Sequence, residues 1–219
     1  MSIRKHVFVG DEYYHIYNRG NSKQVIFHDK EDCYRFMALM YACNSTKNYR
    51  SFILKKNITP YDFDRETQLV AIGVYCLMPN HFHLLIKQKI VNGISLFMQK
   101  LMTAYVMYYN KKYKRTGALF EGKFKSTHVD SDIYLKYLFS YIHLNPVKLI
   151  QSDWKINGIK NIKETFHYLQ TYEYSSFSDY ISKNRIQNGI LNREDFPQYF
   201  DGIKNMMNEM ISWLTFKTC

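Results

Sequence analysis

The chain divides by the spacing of its apolar positions. Residues 12–19 (EYYHIYNR) alternate with period two and are rich in tyrosine, which predicts a strand with Tyr14 and Ile16 on one face. Tyr13, His15, Tyr17 and Arg19 fall on the other face, and Gly20-Asn21-Ser22 breaks the pattern. Apolar residues at Tyr34, Met37, Leu39, Met40 and Tyr41 predict an amphipathic helix from about Lys30 to Cys43. Residues 44–67 are polar and charged, include Pro60, and read as an exposed connection. The run LVAIGVYCL (69–77) has strand length and no polar face; Met78-Pro79-Asn80 makes a turn, and HFHLLIKQ (81–88) returns as a second strand, so the pair predicts a hairpin. Ile94, Phe97, Met98, Leu101, Tyr105 and Tyr108 recur at helical spacing over 94–113. EGKFKSTHV (121–129) reads as a fourth strand, and Ser131 or Asp132 as the cap of a helix that Pro146 stops near Leu144.

The order strand, helix, strand, strand, helix, strand, helix predicts an α+β fold. Its first six elements match a ferredoxin-like (RRM-like) unit, an antiparallel sheet with both helices on one face. The last helix is expected on the open face. Beyond Ile150 the composition turns polar and aromatic, with Trp154, Tyr168, Tyr172, Tyr174 and Phe177. Residues 1–150 are therefore read as one domain and 151–219 as a partly helical C-terminal extension, with a terminal helix near 201–215.

Charge adds a direction. The 219 residues carry 30 Lys and Arg against 19 Asp and Glu, a formal charge of +11. Residues 81–150 alone hold eleven basic and three acidic side chains. Together with 20 Tyr and 15 Phe, this mixture of cations and flat rings suits single-stranded nucleic acid. No apolar stretch approaches the ~20 residues of a membrane span and no signal-peptide core opens the chain, so a cytoplasmic protein with no membrane partner is expected. Cys33, Cys43, Cys76 and Cys219 form no CxxC pair and are assigned no role; Cys76 reads as core.

Two segments carry candidate chemistry. His81 and His83 stand two apart on a strand, hence on one face and ~7 Å apart, while Phe82 points to the opposite side. Two such imidazoles can chelate one metal, or can be two unligated histidines beside a turn. A cupin-type site would supply a glutamate soon after, where the chain runs Leu-Leu-Ile-Lys-Gln; a histidine-triad hydrolase would need a third alternating histidine, where Leu85 stands. In the second segment Tyr141 and Asn145 lie four apart on one helical face, although Pro146 puts Asn145 at the helix end. A phenol held beside a metal-bound phosphodiester can attack phosphorus, and an amide oxygen can join the metal's ligands. Residue chemistry alone does not choose Tyr141 over Tyr134 or Tyr137 on the same helix, nor over Tyr105, Tyr108, Tyr109 and Tyr113 on the earlier one.

Four ordered segments resemble the HUH single-tyrosine transposases, most closely their long-form REP-associated branch: YHIYNRGNSKQVIF (14–27), YCLMPNHFHLLI (75–86), FMQKLMTAYVMYYNKKYKRTGALFEGKFKS (97–126) and YLFSYIHLNPVK (137–148). A weaker echo is YEYSSFSDY (172–180). The resemblance implies that 1–150 is a catalytic domain, that His81, His83 and Asn145 bind Mg²⁺ or Mn²⁺, and that Tyr141 is the nucleophile. It also implies single-stranded or hairpin DNA as substrate, cleaved and rejoined through a 5′-phosphotyrosine. Imidazole ligands favour Mn²⁺ or a later metal over Mg²⁺. Lys123 departs from an expected arginine, which would remove a bidentate phosphate contact. Arg19, Lys111, Lys112, Lys114, Arg115, Lys123 and Lys125 are the expected DNA contacts. A monomer is expected somewhat ahead of a homodimer. Two other readings stay open: a non-catalytic nucleic-acid-binding module using Tyr13 and Tyr17 on the sheet, and a metal-dependent phosphodiesterase with water as nucleophile.

Overall fold

Four strands form one antiparallel sheet: β1 (Tyr13–Arg19), β2 (Val70–Met78), β3 (His81–Gln88) and β4 (Lys125–Val129), in the order β2-β3-β1-β4. A computed structural model describes residues 7–48, 59–181, 184–199 and 203–215. Helices α1 (Lys30–Cys43) and α2 (Gly93–Lys112) pack on one face, and α3 (Asp132–Leu144) lies on the other. This is the expected ferredoxin-like arrangement, with the helix after the last strand on the opposite face.

The pleat sorts the strands between two cores. Phe82, Leu84 and Ile86 of β3 join Tyr14, Ile16, Phe36, Phe97, Leu101 and Tyr105 on the α1/α2 side. Leu85 joins Val74, Cys76, Leu138, Phe139 and Ile142 on the α3 side. Every residue of β2 is buried, which explains why its sequence shows no alternation. Cys33, Cys43 and Cys76 are buried as well, whereas Cys219 lies outside the described residues. β4 is shorter than the expected 121–129. Gly122 sits at φ +122° with its carbonyl on the Asn18 side-chain amide, so regular pairing begins only at Lys125. The stretch 44–67, expected to be exposed, is anchored at its start. Asn44 is buried and its amide bonds Leu69 N, Val70 N and Val70 O, while Phe63 is buried too. Residues 49–58 of that stretch lie outside the described residues.

Ser131 caps α3 by accepting from Tyr134 N. The α-helix ends at Leu144 ahead of Pro146, as expected, and the chain goes on in a tighter form. Asn145 keeps φ −55° and ψ −40°, and the chain tightens into a 3₁₀ segment over Asn145–Leu149. The i,i+4 relation of Tyr141 to Asn145 therefore survives.

Past Ile150 come α4 (Trp154–Asn157), α5 (Ile162–Thr171), α6 (Phe177–Tyr180) and α7 (Ile203–Thr215). Much of this segment closes the exposed edge of β2. Leu77 N donates to Tyr174 O, Ser176 N to Tyr75 O, Asn192 N to Ile72 O and the Tyr180 hydroxyl to Gly73 O. An open edge would otherwise present unpaired backbone groups to another chain. Gly73 is required where it stands, since a Cβ there would lie 2.7 Å from the Phe196 ring. The Ser176 hydroxyl ties three elements together: it accepts from Tyr75 N, contacts Tyr75 O, and lies 2.8 Å from His143 Nε2 on α3.

His143 is fully buried, its Nδ1 has no partner, and burial pulls its pKa down to about 3. The fold thus holds it neutral, and protonation favours the unfolded chain, where the ordinary value is ~6.5. Its contribution is intact above that value and is lost as pH falls towards about 3, at about 1.4 kcal/mol per pH unit. The urea midpoint should therefore drop between pH 7 and pH 5, and His143→Gln should flatten that dependence. An equal slope in the variant would show that other groups control acid stability.

Candidate active site

The β3 pleat that buries Phe82 turns His81 and His83 to the α3 side of the sheet, where β3 meets its turn. Their rings are 5.1 Å apart and nearly perpendicular. Each has its Nδ1 engaged. His81 Nδ1 lies 2.7 Å from Asn80 Oδ1, and the Asn80 amide is oriented by its Nδ2 bond to Lys23 O. An oxygen facing Nδ1 makes that nitrogen the donor, so the His81 Nε2 lone pair is left for a ligand. His83 Nδ1 is 2.9 Å from Nε2 of His15, a buried side chain on β1. A proton on His83 Nδ1, donated to His15, leaves Nε2 of His83 in the same state.

Burial lowers the pKa of His81 to about 4, helped by the nearby charges of Lys148, Arg19 and Lys155. Burial, then His15 and His81, take His83 well below its ordinary value, and burial takes His15 to about 4. All three rings are neutral near pH 7, the state in which imidazole binds metals.

Helix α3 brings the other groups. The Tyr141 ring stands edge-on to His83 and His15, with centroids 5.7 Å and 6.3 Å away. One turn on, Asn145 is buried, interacts with His81, and leaves its Nδ2 without a partner. These donors fit a divalent cation: two imidazole nitrogens and one amide oxygen from rigid elements, with further positions for water or phosphate. Among the described residues no group of three or more His, Cys, Asp and Glu is arranged for a metal, so any ion here would rest on this mixed set. Tyr134, Tyr137 and Tyr141 stack along α3 with rings 6.2 Å and 5.9 Å apart, and Tyr134 and Tyr137 pack against the α3-side core. Of the three, only Tyr141 lines the cleft of about 440 Å³ shared with His81 and His83. Lys155 Nζ donates to the Tyr141 hydroxyl at 3.1 Å and lies 4.2 Å from its ring centroid.

The expected DNA contacts separate. Arg19 and Lys125 line the cleft, with Arg19 paired to Glu121 at 2.9 Å; Lys111, Lys114 and Lys123 lie outside its lining. Arg115 is held by Ala118 O and the face of Tyr109. Lys112 faces inward instead: its ammonium bonds Asp29 and Asp32, the latter fully buried, and lies 3.1 Å from Glu31. Burial pulls the Lys112 pKa down, but those carboxylates outweigh it and raise the value. The Lys112 charge is thus matched by carboxylates of α1 and of the residue before it, away from the cleft.

Sequence reasoning gave His15 no role although it lay on the right strand face. The nearest signal was its place beside Tyr17 and Arg19, and pairing register was needed to set it against His83. Lys23 and Lys148 also line the cleft, and both fall inside the segments that carry the family resemblance.

Residues 9–145 match the family described as "Transposase IS200 like". No curated protein matches the chain significantly. Among solved structures, a REP-associated tyrosine transposase bound to a REP hairpin is 10% identical over 85% of this chain and 90% of that one, with a TM-score of 0.49. A tRNA(His) guanylyltransferase from Saccharomyces cerevisiae is 13% identical over 91% of this chain and 83% of that one, with a TM-score of 0.36. At these levels of likeness neither structure adds to the family match.

If the two Nε2 atoms are ligands, His83→Ala should abolish Mn²⁺ binding measured by calorimetry or by the EPR signal of free Mn²⁺. His15→Ala should weaken it about 10- to 100-fold by freeing the His83 ring, while His15→Gln, whose amide oxygen can accept the same proton, should retain most of it. Wild-type affinity in His15→Ala would reduce that contact to packing.

Proposed function

The chain belongs to the IS200-like transposase family, whose members cleave and join DNA, and we propose that it does so through Tyr141 with a divalent metal on single-stranded or hairpin DNA. One observation carries this reading: the Tyr141 hydroxyl and the His81/His83 pair open onto one cleft within a single chain. A water-nucleophile phosphodiesterase has no use for a phenol at that place, and a passive RNA-binding sheet has no use for two neutral imidazoles paired beside it.

His81, His83 and Asn145 would hold the ion, with Mn²⁺ better matched than Mg²⁺ to two imidazoles. Bound there, it would polarise the scissile phosphate and offset the charge that develops on its oxygens. Tyr141 then attacks phosphorus through its hydroxyl oxygen. The phenolic proton passes to solvent, the P–O3′ bond breaks, and the 3′ oxygen takes up a proton. The products are a 5′-phosphotyrosine and a free 3′-hydroxyl. Because one phosphodiester replaces another, a second 3′-hydroxyl can reverse the step and join strands without a nucleotide cofactor. Arg19, Lys23, Lys125 and Lys148 around the cleft offer positive charge to the DNA backbone. The site draws each of these residues from one chain, which supports a protein competent as a monomer. No helix of the described residues is long and apolar enough to cross a membrane.

Tyr141→Phe removes one oxygen and little volume. It should bind hairpin DNA and Mn²⁺ as the wild type does, yet form no covalent adduct on a denaturing gel. An adduct in that variant would move the chemistry to Tyr137 or Tyr134.

Backbone contact is read from salt dependence. Lys125→Ala with Lys148→Ala should flatten the log–log salt slope of single-strand binding by up to ~1.4, at ~0.7 per contact. Lys112→Ala should leave that slope unchanged and lower the melting temperature. The opposite pattern would place the DNA along the end of α2.

A further inference from the structure

The catalytic groups named so far lie within or before Asn145, where the family match ends. Ten residues farther on, in the C-terminal segment, Lys155 places its ammonium 3.1 Å from the Tyr141 hydroxyl oxygen. Its position is fixed from both sides. The preceding residue, Trp154, is buried in the α3-side core and anchors the short helix α4. At the other end, the ammonium sits 4.2 Å from the centroid of the Tyr141 ring, whose plane is stacked with Tyr137 at 5.9 Å. The phenol is thus held between a ring of its own helix and a cation from the extension. The same charge reaches the metal-site histidines, since it contributes to the lowered pKa of both His81 and His83.

We propose that Lys155 is a catalytic residue of the strand-transfer reaction, an electrostatic partner that stabilises negative charge on the Tyr141 oxygen in the transition state. The proposal rests on the tyrosine reading above and extends it to a segment that the family match does not reach. As the O–P bond forms, the phenolic proton departs to solvent and the oxygen carries partial negative charge. The ammonium donates a hydrogen bond to that oxygen and remains protonated throughout. When a 3′-hydroxyl attacks the phosphotyrosine, the same oxygen is the leaving group and again gathers charge. The hydroxyl of free tyrosine and the bridging oxygen of the aryl phosphodiester are both uncharged. Lys155 therefore acts chiefly on the barrier between the two states, in either direction, as a preorganised donor does in an oxyanion site. A lysine that served DNA binding would act on affinity instead.

That difference defines the experiment. In the full-length chain with Mn²⁺ and a hairpin oligonucleotide, single-turnover formation of the adduct and its resolution by a 3′-hydroxyl strand are measured for wild type, Lys155→Met and Lys155→Arg. Lys155→Met keeps the aliphatic stem and should slow both steps by a common factor of about 10², the usual loss for one donor to a developing oxyanion. Hairpin affinity, Mn²⁺ affinity and the ratio of adduct to free DNA at equilibrium should stay at wild-type values. Lys155→Arg should recover much of the rate. Equal rates in wild type and Lys155→Met would overturn the proposal, as would a rate loss accounted for entirely by weaker DNA binding, which would make Lys155 a phosphate contact. A wild-type protein that binds hairpin and Mn²⁺ yet forms no adduct would overturn the tyrosine reading together with it, whereas a normal wild-type adduct with an unaffected variant removes Lys155 alone.

Discussion

The period-two pleat of β3 is the constraint on which the site depends. One strand must fill a core with Phe82, Leu84 and Ile86 and present His81 and His83 on the reverse side. A slip of one residue would put both imidazoles into the α1/α2 core and Phe82 into the cleft. The register with β1 is therefore as much a functional specification as a structural one: Tyr17 faces His83, and His15 falls one pleat along, close enough to bond its ring. Anchoring the donors on paired strands and a capped helix, rather than on loops, holds them in place before any ligand arrives.

Burial and charge then act in the same direction. The three histidines are neutral chiefly because they are buried; Lys155 adds to the effect on His81 and His83, and Lys148 and Arg19 add to it on His81 alone. Arg19 and Lys148, on the rim of the cleft, would thus serve a polyanion and at the same time help to keep His81 unprotonated. Asp29 and Asp32 perform the reverse service away from the cleft, where they neutralise Lys112 and stitch the end of α2 to the start of α1.

Much of this was legible in the sequence, for identifiable reasons. Strand alternation at 12–19 and the turn at 78–80 are local signals, and local signals survive without coordinates. The His81/His83 face and the Tyr141/Asn145 face follow from the periods of strand and helix alone. What escaped was set by partners distant in the chain. Lys112 read as a DNA contact because the acids that pair with it lie some eighty residues earlier. The start of 44–67 read as exposed because Asn44 finds its partners on β2. Pro146 marked the end of the α-helix at Leu144, but pattern alone does not show that the chain continues as a 3₁₀ segment. Choosing Tyr141 among 20 tyrosines required either the family resemblance or the cleft.

The bridge at Ser176 bears on how a reaction of this kind could proceed. Through one hydroxyl, β2 and the C-terminal segment are fastened to His143, two residues beyond Tyr141 on α3. Buried side chains of α3 also lie in the same core as those of α7. A helix fastened at its C-terminal end and packed along its flank behaves as a fixed post rather than a lever. Under the proposed mechanism, a DNA end attached to such a post would stay where it was cut, so any exchange of partners would be made by movement of the nucleic acid, with the second 3′ terminus brought to a stationary phosphotyrosine.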